Sequence, residues 1–116
     1  MKLPNAHLAV VERGKIVEYL LDPAHPDNGG KAAFFAGQGF RQSSWRALAA
    51  AFQDLAVTTD VTVQTTSRHG VKYLIDGRLE TPSGKTPVVR TGWIVDRGLD
   101  TPRLVTAYPK EEGARE

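Results

Sequence analysis

The spacing of apolar residues changes near Thr58, helical before it and alternating after it. Residues 3–11 follow a Pro4-Asn5 turn and read as a short strand or an extended lead-in. Across residues 12–22, Ile16, Val17, Tyr19, Leu20 and Leu21 recur close to a helical period, and Pro23, which lacks an N–H, ends that helix. Residues 22–30 are dense in Pro, Gly, Asp and Asn and form a loop. Residues 31–36 predict a short helix presenting Phe34 and Phe35, closed by Gly37 or Gly39. Ser43 or Ser44 caps a third helix whose apolar stripe is Trp45, Leu48, Phe52 and Leu55.

Beyond Thr58, Val61 and Val63 alternate with Thr62 and Gln64, and Val71, Tyr73 and Ile75 alternate with Lys72 and Asp76. Two more strands follow at residues 87–95 and 103–108, with turns around Arg68-His69-Gly70, Pro82-Ser83-Gly84-Lys85 and Gly98. Parallel neighbours need a crossover of about a dozen residues or more, so these short connections imply an antiparallel meander. The predicted class is α+β: two or three N-terminal helices packed on a four-stranded antiparallel meander sheet. One domain is expected over residues 1–110, with a frayed tail at 111–116.

Composition narrows the chemistry. With 41% hydrophobic and 24% charged residues, the 116-residue chain is an ordinary globular sequence. It has no cysteine, which excludes a disulfide scaffold, a thiol nucleophile and Cys-ligated metal. His7, His25 and His69 never fall at helical spacing, so no local metal motif exists and no metal or cofactor is expected. Without a bilayer-length apolar run or a signal-peptide pattern, the expectation is a cytoplasmic protein not bound to membrane. No Gly-x-Ser-x-Gly elbow, dinucleotide fingerprint or P-loop occurs; Gly29-Gly30-Lys31 lacks the remainder of a P-loop.

Charge is uneven. Residues 67–110 hold eight bases, among them Lys72, Arg90, Arg97 and Arg103, against the four acids Asp76, Glu80, Asp96 and Asp100. Such an excess suits a polyanion, and a scatter of solvated side chains gives the same count. In the third strand Val89, Thr91, Trp93 and Val95 share a face that suits packing on the helices, near Trp45 and Phe52, leaving Arg90 on the other. In the fourth, Leu104, Thr106 and Tyr108 share one face, with Arg103, Val105 and Ala107 opposite. If the Trp93 and Val105 faces combine as core, Arg90, Thr106 and Tyr108 converge on the outer face. A guanidinium with two hydroxyls suits a phosphate. In the loop, His25 has the chemistry of a general acid or base, and Lys31 opens a helix whose first N–H groups can meet an anion. A plain turn and a solvated lysine account for the same segment.

Three segments carry a resemblance: Leu3-Pro4-Asn5-Ala6; Tyr19-Leu20-Leu21-Asp22-Pro23-Ala24-His25-Pro26 with Lys31-Ala32; and Val89-Arg90-Thr91-Gly92-Trp93-Ile94 with Pro102-Arg103-Leu104-Val105-Thr106-Ala107-Tyr108-Pro109. Together they resemble a family of small uncharacterised bacterial domains of unknown function, which supplies no activity. The order of elements is also similar to the barnase/colicin/RelE-like group of metal-independent ribonucleases and toxins. That second likeness implies His25 as base or acid, Lys31 or Arg90 against developing phosphorane charge, and Thr106 and Tyr108 on the scissile phosphate. Thr91 and Arg103 join Tyr108 as expected substrate-binding residues. The implied partners are RNA and a cognate protein partner or inhibitor. The other class of function is a non-catalytic protein-interaction module or a homodimeric binding domain.

Overall fold

The computed structural model describes residues 1–110; the expected tail at 111–116 lies outside the described residues. The lead-in is neither strand nor plain coil. It makes a 3-10 turn at Ala6–Leu8, then a single parallel bridge from Val10 to Arg103. The first helix is shorter than predicted: α1 (Arg13–Lys15) runs into a π-helical turn, Ile16–Leu20, closed by Leu21 N–H donating to the Ile16 carbonyl at 2.8 Å. Helix α2 spans Lys31–Gly37, and α3 spans Trp45–Thr58 after a 3-10 turn at Gln42–Ser44. Ser44 sits at the cap position of α3 without a side-chain capping bond.

Four strands follow: β1 (Val63–Ser67), β2 (Gly70–Arg78), β3 (Val88–Asp96) and β4 (Arg103–Pro109). They pair antiparallel in chain order, the predicted meander, and with the helices before them the chain is an α+β fold. Its core lies between helices and sheet. Leu48, Phe52 and Leu55 of α3, with Ile16, Leu20 and Phe35, meet Ile75, Val89, Trp93 and Leu104 of the sheet's inner face. Trp45 is only half-buried, with the Arg46 guanidinium 4.9 Å from its ring, so of the stripe it contributes least to the core.

One irregularity decides the outer face. Gly92 pairs with Thr106 but Trp93 pairs with Leu104, so β4 carries an extra residue, Val105, opposite that step of β3. A bulge shifts every side chain beyond it by one face. Leu104 and Ala107, three residues apart, are therefore both fully buried. This corrects the expectation that Leu104 shares a face with Thr106 and Tyr108, and that Val105 joins the core. Val105 is half-buried at the side of the sheet.

The β1–β2 hairpin turns at Arg68-His69, and Gly70 has φ 142°, where a Cβ would run into the Val95 carbonyl oxygen and stand 3.0 Å from the Arg97 nitrogen. Both obstacles are backbone, so neither can rotate away. Gly70→Ala is expected to cost about 2–4 kcal/mol, read as a lowered denaturant midpoint. A change below about 0.5 kcal/mol would show that the β2–β3 edge yields instead.

Candidate functional site

The outer face of the sheet is laid out in rows by the strand register. Asp76, Arg90 and Tyr108 form one row across β2, β3 and β4; Leu74, Gly92 and Thr106 form the next; Lys72, Ile94 and Arg103 the third. Arg90, Thr106 and Tyr108 thus do converge, downstream of the bulge. Arg90 is not a loose cation, however. Its Nε and Nη2 donate to the two Asp76 carboxylate oxygens at 2.6 and 2.8 Å, with Lys110 Nζ 3.9 Å from Oδ2. The hydrogen bonds to Asp76 raise the Arg90 pKa above its ordinary value, against burial, and the Tyr108 phenol adds a smaller share. A bidentate pair of this kind fixes a guanidinium in place.

Beside β4 the helical segment and the loop bring up a second group of side chains. The π turn ends at Tyr19 and Leu20. Leu20 goes into the core, and Tyr19 reaches the sheet with its hydroxyl 3.4 Å from Thr106 Oγ1. Asn28, buried at 5% exposure, ties this turn to α2: its Nδ2 donates to the Tyr19 carbonyl at 2.7 Å and its Oδ1 accepts from Ala32 N–H at 2.8 Å. The expected anion site at the start of α2 is corrected by this contact. Ala32 N–H is used by the Asn28 side chain and Lys31 N–H by the Asn28 carbonyl, so these donors are spent on the loop.

Lys31 itself turns toward the sheet. Its Nζ donates to the Asn28 carbonyl at 3.1 Å and lies 5.5 Å from the Tyr19 ring centroid and 6.0 Å from that of Tyr108. Lys15, one helical turn before Tyr19, places its ammonium 5.3 Å from the same ring. His25 packs edge-on against Tyr19, with ring centroids 4.9 Å apart. Its Nδ1 accepts from the Asp27 backbone N–H at 3.1 Å, so the neutral ring carries its proton on Nε2. Lys15, Tyr19, His25, Asp27 and Val105 line an open cavity of about 310 Å³.

Electrostatics in the cavity favour an anion. Burial raises the Tyr19 pKa, but the Thr106 hydrogen bond and the Lys31 and Lys15 ammonium groups outweigh it and leave the phenol below its ordinary value. Among the described residues the cavity wall carries the Lys15 ammonium and the Asp27 carboxylate, and the Lys31 ammonium lies against the Tyr19 ring. The donor set comprises hydroxyls, an imidazole N–H and ammoniums, which suits a phosphate oxygen. Among the described residues no three His, Asp or Glu side chains gather closely enough to hold a metal ion.

Of the residues expected from sequence, the structure brings His25, Lys31, Thr106, Tyr108 and Arg90 into one cluster, with His25 and Arg90 at its two ends and Tyr19, Lys31 and Tyr108 between them. Thr91 and Arg103 are not part of it. Thr91 is fully buried on the inner face, donating to the Ile75 carbonyl at 3.1 Å and accepting from Trp93 Nε1 at 2.8 Å, so it cannot touch a substrate. Arg103 stands at the far end of β4 and is bidentate with Asp96 at 2.8 and 3.1 Å, an interaction that holds the Asp96 carboxyl below its usual range. Sequence reasoning missed Tyr19, Lys15, Asn28 and Asp76. Lys15 and Tyr19 at i, i+4 was the one local signal, since that spacing sets both on one helix face.

Fold and site together define an α+β domain whose meander sheet carries a lysine–tyrosine cleft beside its last strand. The chain belongs to the family described as Domain of unknown function (DUF6883), whose model matches residues 2–111. No curated protein matches it significantly. Among solved structures it is similar to a chain of the contact-dependent growth inhibition toxin–immunity protein complex from Klebsiella pneumoniae 342. The TM-score is 0.72, at 18% identity, over 87% of this chain and 99% of that one. At that identity the likeness is one of fold. No helix among the described residues is long and apolar enough to cross a membrane.

Proposed function

We propose that this chain is a small toxin-type domain that cleaves RNA without a metal ion, acting in the cytoplasm and held in check by a cognate protein partner. The observation that carries the reading is one open cavity lined by Lys15, Tyr19 and His25, with the Lys31 ammonium and the Thr106 hydroxyl set against Tyr19. In such a reaction the RNA 2′-oxygen attacks the adjacent phosphorus and the 5′-oxygen departs. Lys31 and Lys15 offset the added negative charge on the phosphorane, which is where electrostatic stabilisation contributes most. His25 donates from Nε2 to a phosphate oxygen, and Thr106 and Tyr108 orient the phosphate. Arg90, neutralised by Asp76, holds Tyr108 rather than the substrate. The fold likeness to a chain taken from a toxin–immunity complex supports both the toxin reading and the partner.

Purified protein should cleave a mixed RNA in the presence of EDTA, and a His25→Ala/Lys31→Ala double variant of unchanged circular dichroism should lose that cleavage by about 10²–10⁴-fold. RNA left intact by high concentrations of the wild type would sink the reading. One observation favours a second reading, a non-catalytic interaction module. Every residue of β1 is exposed and the strand Val63–Ser67 carries no charge, although a bare edge strand is a template for pairing with another chain. Intact RNA together with concentration-dependent self-association in sedimentation would favour that module.

A further inference from the structure

We infer that Tyr19 is the general acid of the cleft, passing its phenolic proton to the departing 5′-oxygen of the RNA. The inference rests on the ribonuclease reading above and names the group that serves its leaving step. Tyr19 is half-exposed, lines the open cavity, and has its hydroxyl against Thr106 Oγ1 at 3.4 Å. Either hydroxyl of that pair can be the donor. As the phenol loses its proton, the Thr106 hydroxyl can therefore turn from acceptor to donor without any atom moving far. The phenolate left behind faces the ammonium groups of Lys15, on its own helix, and Lys31, on α2. Among the described residues, Asp27 in the loop puts a carboxylate on the same cavity wall, His25 packs beside the ring and Tyr108 lies across Lys31. The balance of these groups lowers the Tyr19 pKa.

The other proton donors are less well placed. His25 accepts a backbone N–H at Nδ1, so the imidazolium needed for an acid would set its Nδ1–H against the Asp27 N–H. Tyr108 lies beyond Lys31, in the row of Arg90 and Asp76. The step balances as follows. The O2′–P bond forms and the 2′-proton goes to solvent water; the P–O5′ bond breaks, and the 5′-oxygen takes the Tyr19 proton. The products are a 2′,3′-cyclic phosphate and a 5′-hydroxyl, and Tyr19 is reprotonated by water.

The test compares two substrates. RNA needs a proton on its leaving oxygen, whereas a uridine 3′-phosphate ester of nitrophenol has a leaving group stable as the anion. Tyr19→Phe keeps the ring packed on His25 and removes only the hydroxyl. It should slow RNA cleavage by about 10²–10⁴-fold and leave the nitrophenyl ester little changed, the retained ester activity reporting a folded site. Equal losses on both substrates, or no loss on RNA, would overturn the acid role while the ribonuclease reading stands. A wild type that cleaves neither substrate overturns the ribonuclease reading and the acid role with it.

Discussion

A Lys31→Met variant is expected to cleave RNA about 10²–10³-fold more slowly than the wild type while keeping its stability within about 1 kcal/mol. The two halves of that expectation have separate causes. Methionine keeps an unbranched side chain and removes the charge, which lies 5.5 Å from the Tyr19 ring centroid and 6.0 Å from that of Tyr108. In the folded state that charge is poorly placed. Lys31 is the first residue of α2, where a cation opposes the helix dipole, at a cost of about 0.3–1 kcal/mol. Its bond to the Asn28 carbonyl offsets this by a similar amount, about 0.5–1.5 kcal/mol. The dipole cost and this bond roughly cancel, and on the proposed reading the ammonium beside the two rings meets a bound anion. Single-turnover cleavage and urea unfolding, measured on the same preparation, check both halves. A slow variant that is also destabilised by about 2 kcal/mol or more would make Lys31 a structural residue.

That cluster was half legible in the sequence, and the boundary has physical causes. Strand periodicity and short turns dictate the meander, because side chains alternate with a period of two and short links forbid crossovers. Alternation also set Arg90 and Thr91 on opposite faces, and the buried Thr91 and outward Arg90 agree with it. Assigning Thr91 to substrate failed for a reason alternation already contained, since a residue in phase with Trp93 is inside. The Val105 bulge had no local signature, so Leu104 was set on the wrong face while Thr106 and Tyr108 were set on the right one. Tyr19 escaped because its four aliphatic neighbours in the pattern made it a core residue of an ordinary helix. The structure winds that stretch as a π turn, which sends Ile16 and Leu20 inward and Tyr19 to β4. Nothing in the composition of Ile16-Val17-Glu18-Tyr19-Leu20 announces a bond from residue 21 back to residue 16. Asp76 was visible as an alternating polar position, but only the β2–β3 register sets it opposite Arg90.

Trp93→Ala should cost about 3–5 kcal/mol, a large share of the roughly 5–15 kcal/mol that holds a domain of this size together. Trp93 is the largest of the fully buried side chains and sits on β3, a central strand, paired with Tyr73 on one side and Leu104 on the other. Truncation removes its dispersion contacts and leaves a void that cannot collapse, because the surrounding backbone is held in two strand ladders. In calorimetry the loss corresponds to a melting temperature lower by about 10–20 °C. Trp93→Phe separates packing from hydrogen bonding. It retains most of the aromatic volume but removes the Nε1–H that donates to Thr91, whose own hydroxyl still donates to the Ile75 carbonyl. A buried hydroxyl that keeps one of its two partners loses about 1 kcal/mol, so the Phe variant should fall well short of the Ala variant. Equal losses would mean that the Thr91 bond, not the ring, dominates the site. On the proposed reading the position also bears on cleavage, since Trp93 stands at the step where β4 bulges and pairs with Leu104 where the register shifts and Thr106 turns outward. A Trp93→Phe variant that is stable but slow on RNA would therefore locate the cost in the bulge, and restored cleavage at lower temperature would distinguish a loosened register from a lost fold.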